Sequence, residues 1–396
     1  MYLITSESVS AGHPDKCADI IADKIVDELL KLDKNARVAT EVFLTGKNVI
    51  IGGEVKINEN IDKDFYIKCA KEALEFIGYP ESGFTNSQTL FPKELNYEIY
   101  VSRQSPEISI GVDKKEELGA GDQGIMIGYA TDERDDFMPM ALMMAREVRD
   151  ILYNKAKSNS NLFGVDIKTE IVLDYISKKN FDNNLPKRVD KIIVAQSHSS
   201  QISKEEVEKE VKDTILKKCS FIDMIDEKTE FIINGTGKFV LHGPIADSGL
   251  TGRKVVADTY GAYAPIGGGA QSSKDYTKVD RSGLYAARWL AKHIVAANLA
   301  KKVVVELSYV IGKAKPLSVT IDTLNSSKTS LKDEELSLII KEKFPLTPLW
   351  IKDKFGLDDP LSQGFTYTQT AFKGQIGYEE YPWERLDEIN FFKRLK

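Results

Sequence analysis

Cysteine, histidine and tryptophan are scarce in this chain of 396 residues, at three, four and three. Cys17, Cys69 and Cys219 lie far apart, which excludes a disulfide framework and zinc-type spacing and predicts buried, reduced thiols in a cytoplasmic protein. With His13, His198, His242 and His293 as its whole stock of imidazoles, the chain shows no serine or cysteine with a base-and-orienter pattern, so covalent catalysis is not suggested. Long apolar runs are missing too: none reaches the roughly 18 residues a membrane helix needs. The first residues, "MYLITSESVS", have neither a basic stretch nor an apolar one and do not read as a signal peptide. Positive charge is also in deficit. Lysine and arginine number 54 against 60 aspartates and glutamates, a net charge of −6 that argues against nucleic acid as the main partner.

What is present is a globular composition, 42% hydrophobic and 29% charged, in a chain long enough for two or three domains. Apolar spacing predicts helices over 14–32, 64–78, 139–157, 203–218, 281–300 and 331–344. Strands are predicted over 48–57, 169–175, 191–197, 230–234, 302–312 and 317–323. Gly52-Gly53 inside the first of these points to a bulge or to close approach of another group. Residues 100–124 are polar and glycine-punctuated, as a functional or mobile segment would be. The order of elements predicts an α+β chain of three similar portions.

Charge and glycine collect in four turn-like clusters: "GHPDK" (12–16), "GAGDQG" (119–124), "HGPIADSGLTGRK" (242–254) and "GGGAQSSKDYTKVDR" (267–281). The last fails the P-loop pattern, because Ser273 precedes Lys274 and Asp275 follows it. Each cluster also has a bland reading. Asp15 would serve as a helix cap with Lys16 as its adjacent cation, and the others as polar turns. Taken together, aspartates without a histidine or cysteine cluster suit a hard cation such as Mg²⁺. The lysines and arginines suit a polyphosphate. The chemistry this implies is charge stabilisation of a Mg–nucleotide.

At this point "SESVSAGHPDK", "GAGDQGIMIGYA", "DSGLTGRK" and "GGGAQSSKDYTKVDRSGLYAARWLAKHIVAANLA" resemble the signature segments of the S-adenosylmethionine synthetase (methionine adenosyltransferase) family, in order and over nearly the full chain. The resemblance implies three similar α/β subdomains related by pseudo-threefold symmetry. The corresponding divisions are 1–103, a mobile loop over 104–118, 119–238 and 239–396. It implies a homo-oligomer, a dimer of dimers, with active sites between subunits. It implies that methionine sulfur attacks C5′ of ATP, that the triphosphate leaves whole and is then hydrolysed to phosphate and pyrophosphate, and that two Mg²⁺ and one K⁺ assist.

The roles implied by the same resemblance are as follows. His13, Lys274 and Lys278 are catalytic. His13, Asp166, Lys168, Lys238, Phe239, Asp247, Arg253, Lys254, Ala270 and Lys274 contact ATP. Glu54, Gln104, Asp122, Asp247, Lys278 and Ile311 contact methionine. Asp15 and Asp280 bind Mg²⁺, and Glu41 binds K⁺. The chain departs from the family's pattern at Gln271, Ser273 and Tyr276, at Gly235 and within 105–112. Serine is costly in a left-handed backbone. The joint change of its neighbours therefore predicts that the loop relaxes to a shape Ser273 tolerates. A different Mg–ATP enzyme, such as a phosphotransferase, and a non-catalytic regulatory subunit are the rival readings.

Overall fold

The computed structural model describes residues 1–79, 92–104, 113–114 and 117–396. Most of the predicted mobile segment, 105–112 with 115–116, lies outside these residues. The departure at 105–112 lies outside them as well.

The strands are β1 (Leu3–Val9), β2 (Arg37–Thr45), β3 (Asn48–Lys56), β4 (Asn96–Arg103), β5 (Asp113–Lys114), β6 (Glu117–Leu118) and β7 (Gly124–Thr131), followed by β8 (Phe163–Asp174), β9 (Arg188–His198), β10 (Glu230–Ile233), β11 (Gly249–Leu250), β12 (Lys302–Tyr309) and β13 (Ser318–Asp322). The longer helices are α1 (Pro14–Leu32), α2 (Lys63–Ile77), α3 (Met140–Ser158), α4 (Lys204–Lys218), α5 (Val279–Ala296), α6 (Asp333–Lys343), α7 (Pro348–Phe355) and α8 (Tyr367–Lys373).

Three sheets carry the fold, ordered β11-β2-β3-β4, β1-β8-β9-β10 and β13-β12-β7, with β5 and β6 paired apart. The chain weaves among them. β1 leaves for the second sheet before β2–β4 form the first, and β7 joins the third before β8–β10 complete the second. This is the three-portion α+β architecture expected. Each sheet is faced by one long helix: α1 against β2, α3 against β8 and β1, and α5 against β7 and β12.

Helix α1 is more than an amphipathic element. Ile20, Ile21, Ile25 and Leu29 are buried, and so are Asp15, Asp19, Asp23 and Asp27 on another face. Its N-cap is His13 rather than Asp15: the imidazole Nδ1 accepts the Asp15 N–H at 3.2 Å. Pro14 takes the first helical position, where its missing N–H costs nothing. The Gly-Gly pair of β3 makes no bulge, since β2 and β3 pair in unbroken register from Arg37↔Lys56 to Thr45↔Asn48. Close approach is the reason for Gly53, because a Cβ there would fall 2.2 Å from the Ala39 carbonyl oxygen.

Candidate functional site

The mouth of α1 organises the first charged cluster. A backbone N–H can only donate, so the bond to Asp15 N fixes His13 with Nδ1 bare and, in the neutral ring, Nε2 protonated. Burial, helped by the nearby Lys254 charge, lowers the His13 pKa to about 4. The ring is therefore a neutral N–H donor at physiological pH.

Asp15 is fully buried. Its Oδ1 accepts the Leu250 N–H at 3.0 Å and faces Arg253 Nε at 2.9 Å. Its Oδ2 meets Lys254 Nζ at 2.6 Å. Burial alone would raise this carboxyl, but the Lys254 bond and the Leu250 N–H outweigh it and hold Asp15 ionised below its ordinary range. Lys16, the cation adjacent in sequence, turns away to Asp258 at 2.5 Å.

Asp166, on β8, is buried with its Oδ2 accepting the Gly243 N–H at 2.7 Å, and burial raises its pKa to about 7. Lys168 projects two residues on and pairs with Glu7 of β1 at 2.6 Å. Phe239 follows the exposed Lys238 and is clasped to β9. Its N–H donates to His198 Nε2 at 3.1 Å and its carbonyl accepts the His198 N–H at 3.0 Å. Asp247 is exposed, and its charge reaches both His13 and Asp166.

The second cluster gathers at the mouth of α5. Asp280 lies in its first turn and takes Lys274 Nζ at 2.6 Å. Gly269 packs on that carboxylate so tightly that a Cβ would fall 2.2 Å from Asp280 Cγ. Lys278 is held at 2.6 Å by the buried Asp275, a partner the sequence did not single out. The loop is stitched to β2 by an antiparallel bridge between Lys274 and Ala39. Glu41, two residues along that strand, stands where the Lys274 charge acts on it.

The "GAGDQG" turn joins the same cluster. Gly121 N–H donates to the Thr277 carbonyl at 2.9 Å, and Gly312 N–H donates to the Ala120 carbonyl at 2.8 Å. Asp122 and Ile311 are thereby brought to one side, both exposed. Glu54 and Gln104 meet directly, with Nε2 donating to Oε1 at 3.3 Å. Ala270 touches the first cluster's loop, its Cβ lying 2.5 Å from where a Cβ on Gly252 would be. Among the described residues no side-chain hydrogen bond or ion pair joins the His13–Asp15–Lys254 group to the Lys274–Asp280 group.

The relaxed loop expected around Ser273 is not found. Ser273 sits at φ +81° in the left-handed region, fully buried, with its hydroxyl unpartnered. Its neighbours over-determine the shape. Its N–H donates to Asp23 Oδ1, and Tyr276, another of the departures, donates its hydroxyl to the Lys34 carbonyl at 3.0 Å.

Among the described residues no three His, Cys, Asp or Glu side chains are grouped to hold a metal. A hard divalent cation can draw most of its ligands from phosphate and water. Asp15 and Asp280 fit this role, since each is matched by lysines or an arginine that phosphate oxygens would draw off.

Fold and site together describe a class: an α+β chain of three woven sheets whose loops pair carboxylates with cations, a charge pattern suited to a metal–polyphosphate. Three family descriptions then match almost end to end. They are "S-adenosylmethionine synthetase, N-terminal domain" over residues 1–106, "central domain" over 117–239 and "C-terminal domain" over 241–385. S-adenosylmethionine synthases of Clostridium tetani and Chlorobium phaeobacteroides are 38% and 39% identical over 99% of this chain and 99% and 98% of theirs. A solved structure described as an unusual S-adenosylmethionine synthetase from Campylobacter jejuni is 50% identical with a TM-score of 0.94, covering 100% of both chains. The chain belongs to the S-adenosylmethionine synthetase family. It is an ATP-dependent methionine adenosyltransferase that makes S-adenosylmethionine from ATP and methionine.

Proposed function

We propose that the two helix mouths bind the triphosphate of ATP and drive its departure as a single leaving group. The observation that carries this is a repeated one. Asp15 and Asp280 each sit in the first turn of a long helix, and each is held at 2.6 Å by a lysine from a glycine-bearing loop, Lys254 and Lys274. With substrate present, Lys254, Arg253 and Lys274 move from carboxylate to phosphate oxygens. Asp15 and Asp280 would then hold two Mg²⁺ and Glu41 would hold K⁺, and the chemistry so supplied would be positive charge along the polyphosphate.

The step forms the C5′–S bond and breaks the C5′–O5′ bond, and the electron pair passes to O5′ of the leaving triphosphate. Neutral His13 meets that developing charge with its Nε2–H. Preorganised donors of this kind are the largest single source of rate in such sites. Asp166 and Lys168 contact the nucleotide, Lys238 and Phe239 wall the adenine, and Ala270 lends its backbone. Asp247 touches both substrates. Glu54 takes the methionine ammonium, with Gln104, Asp122, Lys278 and Ile311 around the rest of the amino acid. No protein nucleophile takes part, and the triphosphate is hydrolysed to phosphate and pyrophosphate before release.

The divisions 1–103, 119–238 and 239–396 are proposed as the domains, with 104–118 as the moving loop. Each active site is completed by a second copy of the chain in a dimer of dimers. Two things support this. The charged groups fall into two sets without side-chain bonds between them, and Tyr100, Ile125, Leu250 and Ile311 are exposed apolar side chains near those sets. A cytoplasmic location is supported by three free, buried cysteines. No helix among the described residues is long and apolar enough to cross a membrane. The test is product analysis of the purified protein with ATP, methionine, Mg²⁺ and K⁺. S-adenosylmethionine with pyrophosphate and phosphate is expected, and ADP with a phosphorylated acceptor would overturn the reading.

A further inference from the structure

Helix α1 carries aspartates at four-residue intervals, Asp15, Asp19, Asp23 and Asp27, so all four lie along one stripe of the helix. All are buried, and a buried carboxylate must be paired. Each accepts a backbone N–H from a different place. Asp15 Oδ1 takes Leu250, Asp19 Oδ1 takes Gly252 at 2.8 Å, and Asp23 Oδ1 takes Ser273 at 2.9 Å. Asp27 takes Tyr367 and Thr368 at 2.9 and 2.8 Å. The middle two recipients share a property. Gly252 and Ser273 both stand at φ +81°, and each immediately precedes a cation proposed for phosphate, Arg253-Lys254 in one loop and Lys274 in the other.

We infer that Asp19 and Asp23 are positioning residues for the adenosyl-transfer reaction. Successive turns of α1 grip the left-handed residue of each phosphate loop and so hold each set of cations in place for the site it serves. The inference rests on the phosphate-binding role given to those loops above. Helical geometry explains why one element can do this, because residues four apart rise about 6 Å along the axis. A single rigid ruler therefore carries both loops, whichever copy's site each one serves. Asp23 extends the ruler to α5, taking Arg281 Nη2 at 2.6 Å on both carboxylate oxygens one residue after Asp280. Among the described residues Asp27, on the same stripe, bonds to the start of α8 and to no phosphate loop. It is the internal control.

Asp19 is the residue to change, because Lys16 keeps its closer partner Asp258 when the Asp19 charge is removed. Asp19→Asn keeps an oxygen for the Gly252 N–H, and Asp19→Ala removes it. The expected result is that D19A raises the KM for ATP on the order of ten- to a hundred-fold, as ångström-scale misplacement does. Its KM for methionine stays within a few-fold, and D19N stays within a few-fold of the parent for both substrates. D27N is expected to lower the unfolding midpoint and leave the KM for ATP unchanged. A folded D19A with the parent's KM for ATP, or a D19N as impaired as D19A, would overturn the inference. If D19A does not fold, amide exchange in the parent decides. Slow exchange at Gly252 and Ser273 is expected, and exchange as fast as in exposed loops would contradict the grip. A parent that makes no S-adenosylmethionine would instead count against the proposed function.

Discussion

Ser273 shows most plainly what a residue's surroundings impose on it. A left-handed backbone and a buried, unpartnered hydroxyl each cost on the order of 1 kcal/mol or more. Ser273→Gly is therefore expected to raise stability by about 1 kcal/mol, read as a higher midpoint in urea or heat. A lower midpoint would show that the strain has been misjudged. Asp166 gives a pH test. Its folded pKa is about 7 against an ordinary 3.8, so between those values the native state binds more protons than the unfolded chain. Stability from this group is full below about 4 and is lost as pH rises through about 7. Asp166→Asn, which keeps an acceptor for the Gly243 N–H, is expected to lose less stability than the parent between pH 5 and 8, and equal losses would contradict the shift. Four turn-like clusters of charge and glycine were legible in the sequence, while Glu41, Asp166 and Lys168, which lie in strands, stood out only through the family resemblance. The partners of these groups were not legible. Asp275 and Asp19 look like any solvated acid until the fold buries them, and the strain at Ser273 depends on Asp23, 250 residues away.

At the scale of elements, periodicity served the helices well. The spacing over 14–32 and 203–218 matches α1 and α4 to within a residue, with Ser203 and Glu206 closing the latter in a capping box. Several strands escaped. β1 buries Ser6 and Ser8, and β7 is buried from Met126 to Thr131, so neither shows the apolar–polar alternation that marks a half-buried strand. The aspartate stripe of α1 was present in the sequence at a spacing of four, but carboxylates on a helix are usually on its wet side. Element packing also makes a prediction. Gly269→Ala pushes its methyl into the Asp280 carboxylate at the start of α5. The expected outcome is a folded protein whose S-adenosylmethionine formation needs far more Mg²⁺. An unchanged Mg²⁺ requirement would mean that Asp280 tolerates displacement.

At the scale of the molecule, three portions were legible in the alternation of strands and helices, because each sheet needs a helix to cover its apolar face, but the woven order in which the sheets fill was not. The proposed assembly does not follow from that alternation, since a site completed by another chain would leave no local pattern. Complementation tests it. If one copy supplies the Asp15 group and another the Asp280 group, co-expressed Asp15→Asn and Asp280→Asn chains recover about a quarter of parental activity, because half the dimers are hybrids with one intact site of two. Recovery no greater than the sum of the two variants alone would place both groups of one chain in the same site.

The central claim is that carboxylates at helix mouths, with loop cations, carry the triphosphate as it leaves. Its most direct test is the rate of S-adenosylmethionine formation at limiting Mg²⁺ by the parent and by Asp15→Asn, with circular dichroism to show that the fold survives. A folded Asp15→Asn slowed on the order of a hundred-fold, as the loss of one electrostatic contact to a developing charge warrants, is the expected result. Turnover equal to the parent's at limiting Mg²⁺ would contradict it.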